Sequence, residues 1–268
     1  MVDFHTHLFP DPIAPKALAS LQAGAQRVEG KAVPPQTDGT RAGLIASMKE
    51  NGVDVSVVLP IATKPSQTPT INRFAGTVQS DGLLSFYSLH PAQEDWEAVL
   101  EGIAAAGAKG IKLHPEFQSA DVDSPEMIRI LKKAAQLSLM VVLHTGKDIG
   151  VPPPVHCTPD QLARALDAAP GGCVVAAHLG GWRMWDQVES CLVGRDLFLD
   201  TAFVADYIIP EQYLRIIRNH GAHRILFGSD SPWECPARTL KGLQALGLTQ
   251  EEMQLITHDN AARLLGIG

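Results

Sequence analysis

His5 and His7 stand two residues apart in "VDFHTH", a short run whose alternation suits a β-strand. Side chains alternate along a strand, so both imidazoles share one face with Asp3. Imidazole and carboxylate groups so arranged suit zinc and similar divalent ions, and a His-x-His pair offers two ligands from one rigid element. Further candidates end later apolar runs: His90 in "LLSFYSLHP", His114 in "GIKLHP", His144 in "LMVVLHTG", His178 in "CVVAAHLGG" and Asp230 in "RILFGSD". Six of the ten histidines fall at such run ends, a bias that packing alone does not explain. His144 and Asp230 can add a third imidazole and a carboxylate to His5 and His7, which leaves His178 as general base or electrophilic catalyst. A bound metal ion lowers the pKa of its water to about 7 and so makes hydroxide at neutral pH.

Lys112 shares a strand face with His114 and is expected in an interior. A buried ammonium there needs a carboxylate partner, a metal-linked modification or a substrate anion. His90 and His114 each precede a proline, which terminates a strand, so they either touch substrate or cap the strand. Asp200 in "LFLDTA" can orient a ligand histidine, and Asp3 is expected to orient the strand or a neighbour. Trp182, Trp185 and Trp233 are candidates for an apolar substrate wall. Arg183 and Lys112 are candidates for holding a carboxylate. His220, His223 and His258 read as surface residues, and His156, Lys147 and Asp148 as weak signals in a loop.

These residues must be positioned by the runs they end. Eight β-rich runs alternate with helix-like segments: "VDFH", 55–61, 83–91, 110–115, 139–146, 173–181, 197–203 and 224–230. Several are almost continuously apolar, as strands buried on both faces are. Ser124 before Pro125 and Thr158 before Pro159 are helix N-terminal signals. Eight βαβ-type alternations favour an α/β fold, a single-domain (β/α)8 TIM-type barrel over 1–268. A doubly wound open sheet is the rival, and the lack of GxGxxG after the first run counts against it. Active sites of such barrels form at the C-terminal strand ends, where the polar residues fall. The segment 10–40, rich in Pro, Gly and Ala, is the candidate lid or insertion after strand one.

The 268 residues suffice for one such barrel, and 45% of them are hydrophobic. A net charge of −7 argues against a sequence-independent grip on nucleic acid, which requires a basic surface. No apolar run is long enough for a membrane span, no signal peptide is visible, and four scattered cysteines suit a reducing compartment. The expectation is a cytoplasmic protein acting on a small molecule, compatible with a homo-oligomer.

The His-x-His pair, His144 in "VVLHTG", His178 in "VAAHLGG", Asp230 in "ILFGSDSPW" and the closing "DNAARLLGI" resemble the amidohydrolase superfamily. The nearest branch is the amidohydrolase-2 group, which includes aminocarboxymuconate-semialdehyde decarboxylase-like enzymes. The resemblance spans essentially the whole chain. It implies a distorted (β/α)8 barrel with one divalent metal held by His5, His7, His144 and Asp230, and His178 working on water or substrate. Zinc is the default, with manganese, iron and cobalt feasible. Some members share His144 and His178 in a binuclear centre bridged from strand four, where Lys112, His114 and Glu116 lie. The expected activity is hydrolysis of an amide, ester or lactone by metal-activated water, with Asp230 or His178 taking its proton. The alternative is a metal-dependent non-oxidative decarboxylase of a small unsaturated or aromatic acid. A non-catalytic metal- or small-molecule-binding barrel is the third reading.

Overall fold

The computed structural model describes residues 1–79 and 82–267. Its strands are β1 (Val2–Thr6), β2 (Val55–Val58), β3 (Leu83–Ser85), β4 (Tyr87–Ser88), β5 (Gly110–Leu113), β6 (Met140–Leu143), β7 (Val174–Ala176), β8 (Phe198–Asp200) and β9 (Ile225–Leu226). All pair in parallel, β1–β2–β3 in one run and β4 to β9 in another. β3 and β4 are two pieces of one stave interrupted at Phe86, whose N–H still donates to Val58 O at 2.9 Å. The last stave meets the first through Phe4 N to Phe227 O (2.8 Å), Asp230 N to His5 O (2.8 Å) and His7 N to Ser231 O (2.6 Å). Eight staves in parallel succession with helices between them make a (β/α)8 barrel.

The strands are shorter than the apolar runs, and His7, His114, His144, His178 and Asp230 follow one to four residues beyond the strand ends. Helix signals hold where the sequence carries them. Ser124 accepts from Met127 N ahead of the helix Pro125–Gln136, and Thr158 forms a reciprocal capping box with Gln161 ahead of Pro159–Ala168. The closing segment is not one regular helix: a π-helical stretch at Leu255–Asp259 stands between two short α-helices. The segment 10–40 contains a 16-residue helix, α1 (Ala14–Glu29), entered through Pro15 and ended by Gly30 at φ 71°. Alanine favours helix strongly, and the helix's one proline, Pro15, stands at the entry, where a missing N–H costs nothing.

The two largest apolar clusters pack against the sheet. The larger includes Ile111, Leu113, Val141, Leu143 and Leu199 with apolar residues of the surrounding helices. The second joins Phe4, Val57, Phe86, Val142 and Val175 to Ala261 and Leu265 of the last helix. Asp3, fully buried, fastens the first stave to the last. Its carboxylate accepts from Ser229 N (2.9 Å), Ser229 Oγ (2.6 Å) and His5 N (3.3 Å). Ser229 immediately precedes Asp230, so this contact sets the distance between His5 and Asp230. Asp3→Ala strands the Ser229 donors in the interior. The expected loss is about 2–4 kcal/mol of unfolding free energy, read from denaturant melts.

Candidate metal centre

The first stave delivers His5 and His7, and the backbone bond Asp230 N to His5 O brings in Asp230, four residues past the end of β9. The ligand atoms of these three residues lie within 4.8 Å of one another. His5 Nε2 is 3.2 Å from His7 Nε2, and Asp230 Oδ1 is 3.4 Å from the first and 3.2 Å from the second. The outer ring nitrogens are held by acceptors: His5 Nδ1 donates to Asp200 Oδ2 (2.7 Å) and His7 Nδ1 to Leu59 O (2.8 Å). In the neutral rings both protons therefore sit on Nδ1, and both Nε2 lone pairs face each other and the carboxylate. A divalent ion satisfies all three acceptors, whereas one proton satisfies two, so the residues fit a metal. Burial, reinforced by the Lys112 charge, holds the His5 imidazole neutral, well below its usual range. Burial raises the Asp230 carboxyl, but the neighbouring His7, His5 and His178 side chains outweigh it and leave it below its ordinary value.

His144, expected as a fourth ligand, lies in a second group with His114 and Asp148. Its ring stacks on His114 with centroids 4.1 Å apart. Its Nδ1 is 3.1 Å from His178 Nε2, and its buried Nε2 has no hydrogen-bond partner among the described residues. His114 Nδ1 accepts from Phe117 N (3.3 Å), so its Nε2 carries the proton toward Asp148 Oδ2 at 3.6 Å. His178 is fixed through Nδ1 to Ala202 O (2.8 Å), and Trp185 Nε1 donates to its carbonyl at 3.2 Å. His178 and Asp230 both have left-handed backbone, φ 58° and 70°, a costly conformation that recurs at functional sites.

Lys112 is buried, and its Nζ lies 3.4 Å from His5 Nε2. Among the described residues no carboxylate comes within ion-pair reach of it. Burial pulls its pKa down to about 8, against the more distant carboxylates of Asp200, Asp230 and Asp148. Arg183, a candidate carboxylate holder by sequence, is committed elsewhere. Its guanidinium binds both Glu29 oxygens (2.9 and 2.7 Å) and lies over the Trp182 ring. His90 is not among the described residues that line the cavity; its Nδ1 accepts from Ala92 N at 3.1 Å, which caps its own turn. His220 is a correction: it is buried rather than superficial, with Nε2 to Leu197 O (2.9 Å) and Nδ1 accepting from Gly194 N.

Asp148 carries more weight than its loop position suggested. The loop after β6 returns it over the His114–His144 stack, where burial pushes its carboxyl up to about 6. Glu116 pins that loop, since its Oε1 accepts from His156 N (2.7 Å) and Cys157 N (3.2 Å). The sequence marked Asp148 only weakly, as a loop residue, because its place depends on the loop's return path. The polar cluster floors a cavity of about 410 Å³ whose wall includes Phe9, Ile71, Phe74, Trp182 and Trp233. Trp182 and Trp233 thus line it as a substrate wall would, while Trp185 supports His178 from behind.

A sequence profile of the amidohydrolase family Amidohydro_2 matches residues 2–267, and the chain belongs to that family of metal-dependent enzymes. Similar solved structures include 5-carboxyvanillate decarboxylase from Sphingomonas paucimobilis, at 14% identity and TM-score 0.72 over 100% of this chain and 99% of that one. A 2,6-dihydroxybenzoate decarboxylase complexed with 2,6-dihydroxybenzoate matches at 14% identity and TM-score 0.71 over 99% of both chains. A probable 2-pyrone-4,6-dicarboxylic acid hydrolase from Acinetobacter baumannii, with citric acid bound, matches at 17% identity and TM-score 0.67, also over 99% of both. At these identities the likeness shows the fold. A search of curated proteins gave no match. Among the described residues no helix is long and apolar enough to cross a membrane.

Burial pushes the Glu116 carboxyl up to about 7. The folded chain then keeps a proton that the unfolded chain releases near 4.5, so stability contributed by this group falls as pH rises from about 4.5 to 7. Glu116→Gln keeps an acceptor for both N–H groups and is expected to flatten that part of the pH–stability profile in thermal melts.

Proposed function

We propose that this protein is a metal-dependent, non-oxidative decarboxylase of a small aromatic or unsaturated acid. One observation carries the reading: a buried lysine ammonium with no carboxylate in ion-pair reach among the described residues stands beside a cluster of atoms that could ligate a metal, at the floor of an apolar cavity. His5, His7 and Asp230 would hold the metal, and His144, from the adjoining group with His114 and Asp148 and with no hydrogen-bond partner at Nε2 among the described residues, would supply a further ligand. The metal, when bound, supplies Lewis-acid polarisation of a substrate oxygen. Zinc is the default identity, with manganese, iron and cobalt feasible.

With His5 Nε2 committed to the metal, Lys112 is left for the substrate carboxylate. The apolar wall excludes water, which disfavours the localised carboxylate charge relative to the dispersed charge that develops as the C–C bond breaks. The bond's electron pair stays on the substrate carbon, CO2 departs, and a proton takes its place. His178, locked in position by Ala202 and Trp185, is placed to exchange that proton. Two of the solved structures similar to this chain are decarboxylases, which supports the same reading.

Hydrolysis of an ester, amide or lactone is the second reading. It is favoured by Asp230 Oδ1, which adjoins both Nε2 atoms and could take a proton from a bound water. Trapped CO2 against water-dependent product, measured on metal-loaded protein with aromatic acids and lactones, separates the two. Product with no CO2 selects hydrolysis. Lys112→Met is expected to lower decarboxylation about 100-fold or more while metal content stays unchanged, since it removes a charge-assisted contact to the reacting group. Normal turnover in that variant contradicts the assignment of Lys112.

A further inference from the structure

The cavity is chemically divided. Its floor is polar, with Lys112, the histidines, Asp148 and Asp230. The wall opposite is built by two helix faces. Ile13, Ala17 and Leu21 recur every four residues at the entry and along one side of α1, and Ile71 and Phe74 come from the helix Thr68–Val78. Residues four apart on a helix lie over one another, so these form continuous apolar stripes turned to the cavity. Ile13, 51% exposed, carries the apolar lining out to the cavity's mouth.

Neither stripe carries a cation into the cavity. Arg183, the nearest arginine by sequence to the floor, is held by Glu29 at the end of α1. Gln67, a polar group beside the second stripe, has its side-chain oxygen committed to Thr63 N, Thr63 Oγ1 and Lys64 N. Lys147 also borders the cavity, but it is exposed, on the loop side, and adjacent to Asp148. A volume of about 410 Å³ lies within the range of sites for drug-sized ligands.

From this division we infer that the substrate is a monocarboxylate with an uncharged, apolar body, its single anion at Lys112 and its far end against the stripes of α1 and Thr68–Val78. The inference rests on Lys112 as the carboxylate's partner in the proposed reaction. A second carboxylate would have to give up water against isoleucine, leucine and phenylalanine with no cation on either stripe to compensate, whereas each added methylene gains apolar burial.

Binding of benzoate, 4-methylbenzoate, 4-propylbenzoate and benzene-1,4-dicarboxylate to the metal-loaded protein, measured by calorimetry, tests it without needing turnover. Affinity is expected to rise about threefold to fourfold per methylene along the alkyl series. The dicarboxylate is expected to bind about tenfold or more weakly than 4-methylbenzoate. Ile71→Arg, at a half-buried cavity-facing position, is expected to weaken 4-propylbenzoate and strengthen the dicarboxylate. Leu21→Lys does the same from α1 and serves if the first variant misfolds. A flat alkyl series, or a dicarboxylate bound as tightly as the alkyl acids, overturns the inference. CO2 release alongside a flat series overturns it alone. A steep series with no CO2 from any acid supports it and rejects only decarboxylation. Failure of every acid to bind overturns both.

Discussion

The site is organised around two imidazole nitrogens that face each other without a proton between them. His5 Nε2 and His7 Nε2 stand 3.2 Å apart because Asp200 and Leu59 O hold the opposite side of each ring. Those outer contacts are what make the inner nitrogens lone-pair donors. An arrangement of this kind is unfavourable in isolation and becomes favourable when a cation occupies it. The barrel therefore keeps a repulsive cluster in place through its own hydrogen bonding, and a metal bound there would relieve a cost already built into the fold.

The supporting contacts come from every part of the barrel. Asp3 ties β1 to Ser229 and so places Asp230. Asp200, at the end of β8, accepts from His5 Nδ1 with one oxygen and from the backbone of His178 and Ala202 with the other, coupling the metal cluster to the proposed proton-exchanging residue. Lys112, on β5, feels the same carboxylate from further away. Displacing one strand end would shift several of these groups together.

Much of this was legible in the sequence, because it depends on strand periodicity and on polar residues ending apolar runs. His5, His7, His114, His144, His178 and Asp230 all reach the cavity from run ends. Lys112 is buried, as its alternation with Ile111 and Leu113 implied. What strand periodicity does not encode is the path of a loop. Asp148 joins the His114–His144 stack only because the loop after β6 folds back under the hold of Glu116. Arg183 leaves the site only because α1 brings Glu29 to it, and α1 itself hid in a segment whose prolines and glycines read as a lid loop. His220 looked superficial because its partners, the acceptor Leu197 O and the donor Gly194 N, lie more than 20 residues away in sequence.

The central claim is that His5, His7 and Asp230 form a metal site. Metal content per chain, by elemental analysis of protein purified without chelator or added metal, tests it most directly, with Asp230→Ala prepared in parallel. The account predicts a stoichiometric divalent ion in the natural chain and a marked loss of it in the variant. Metal-free protein that also fails to take up added zinc, manganese or cobalt would contradict it.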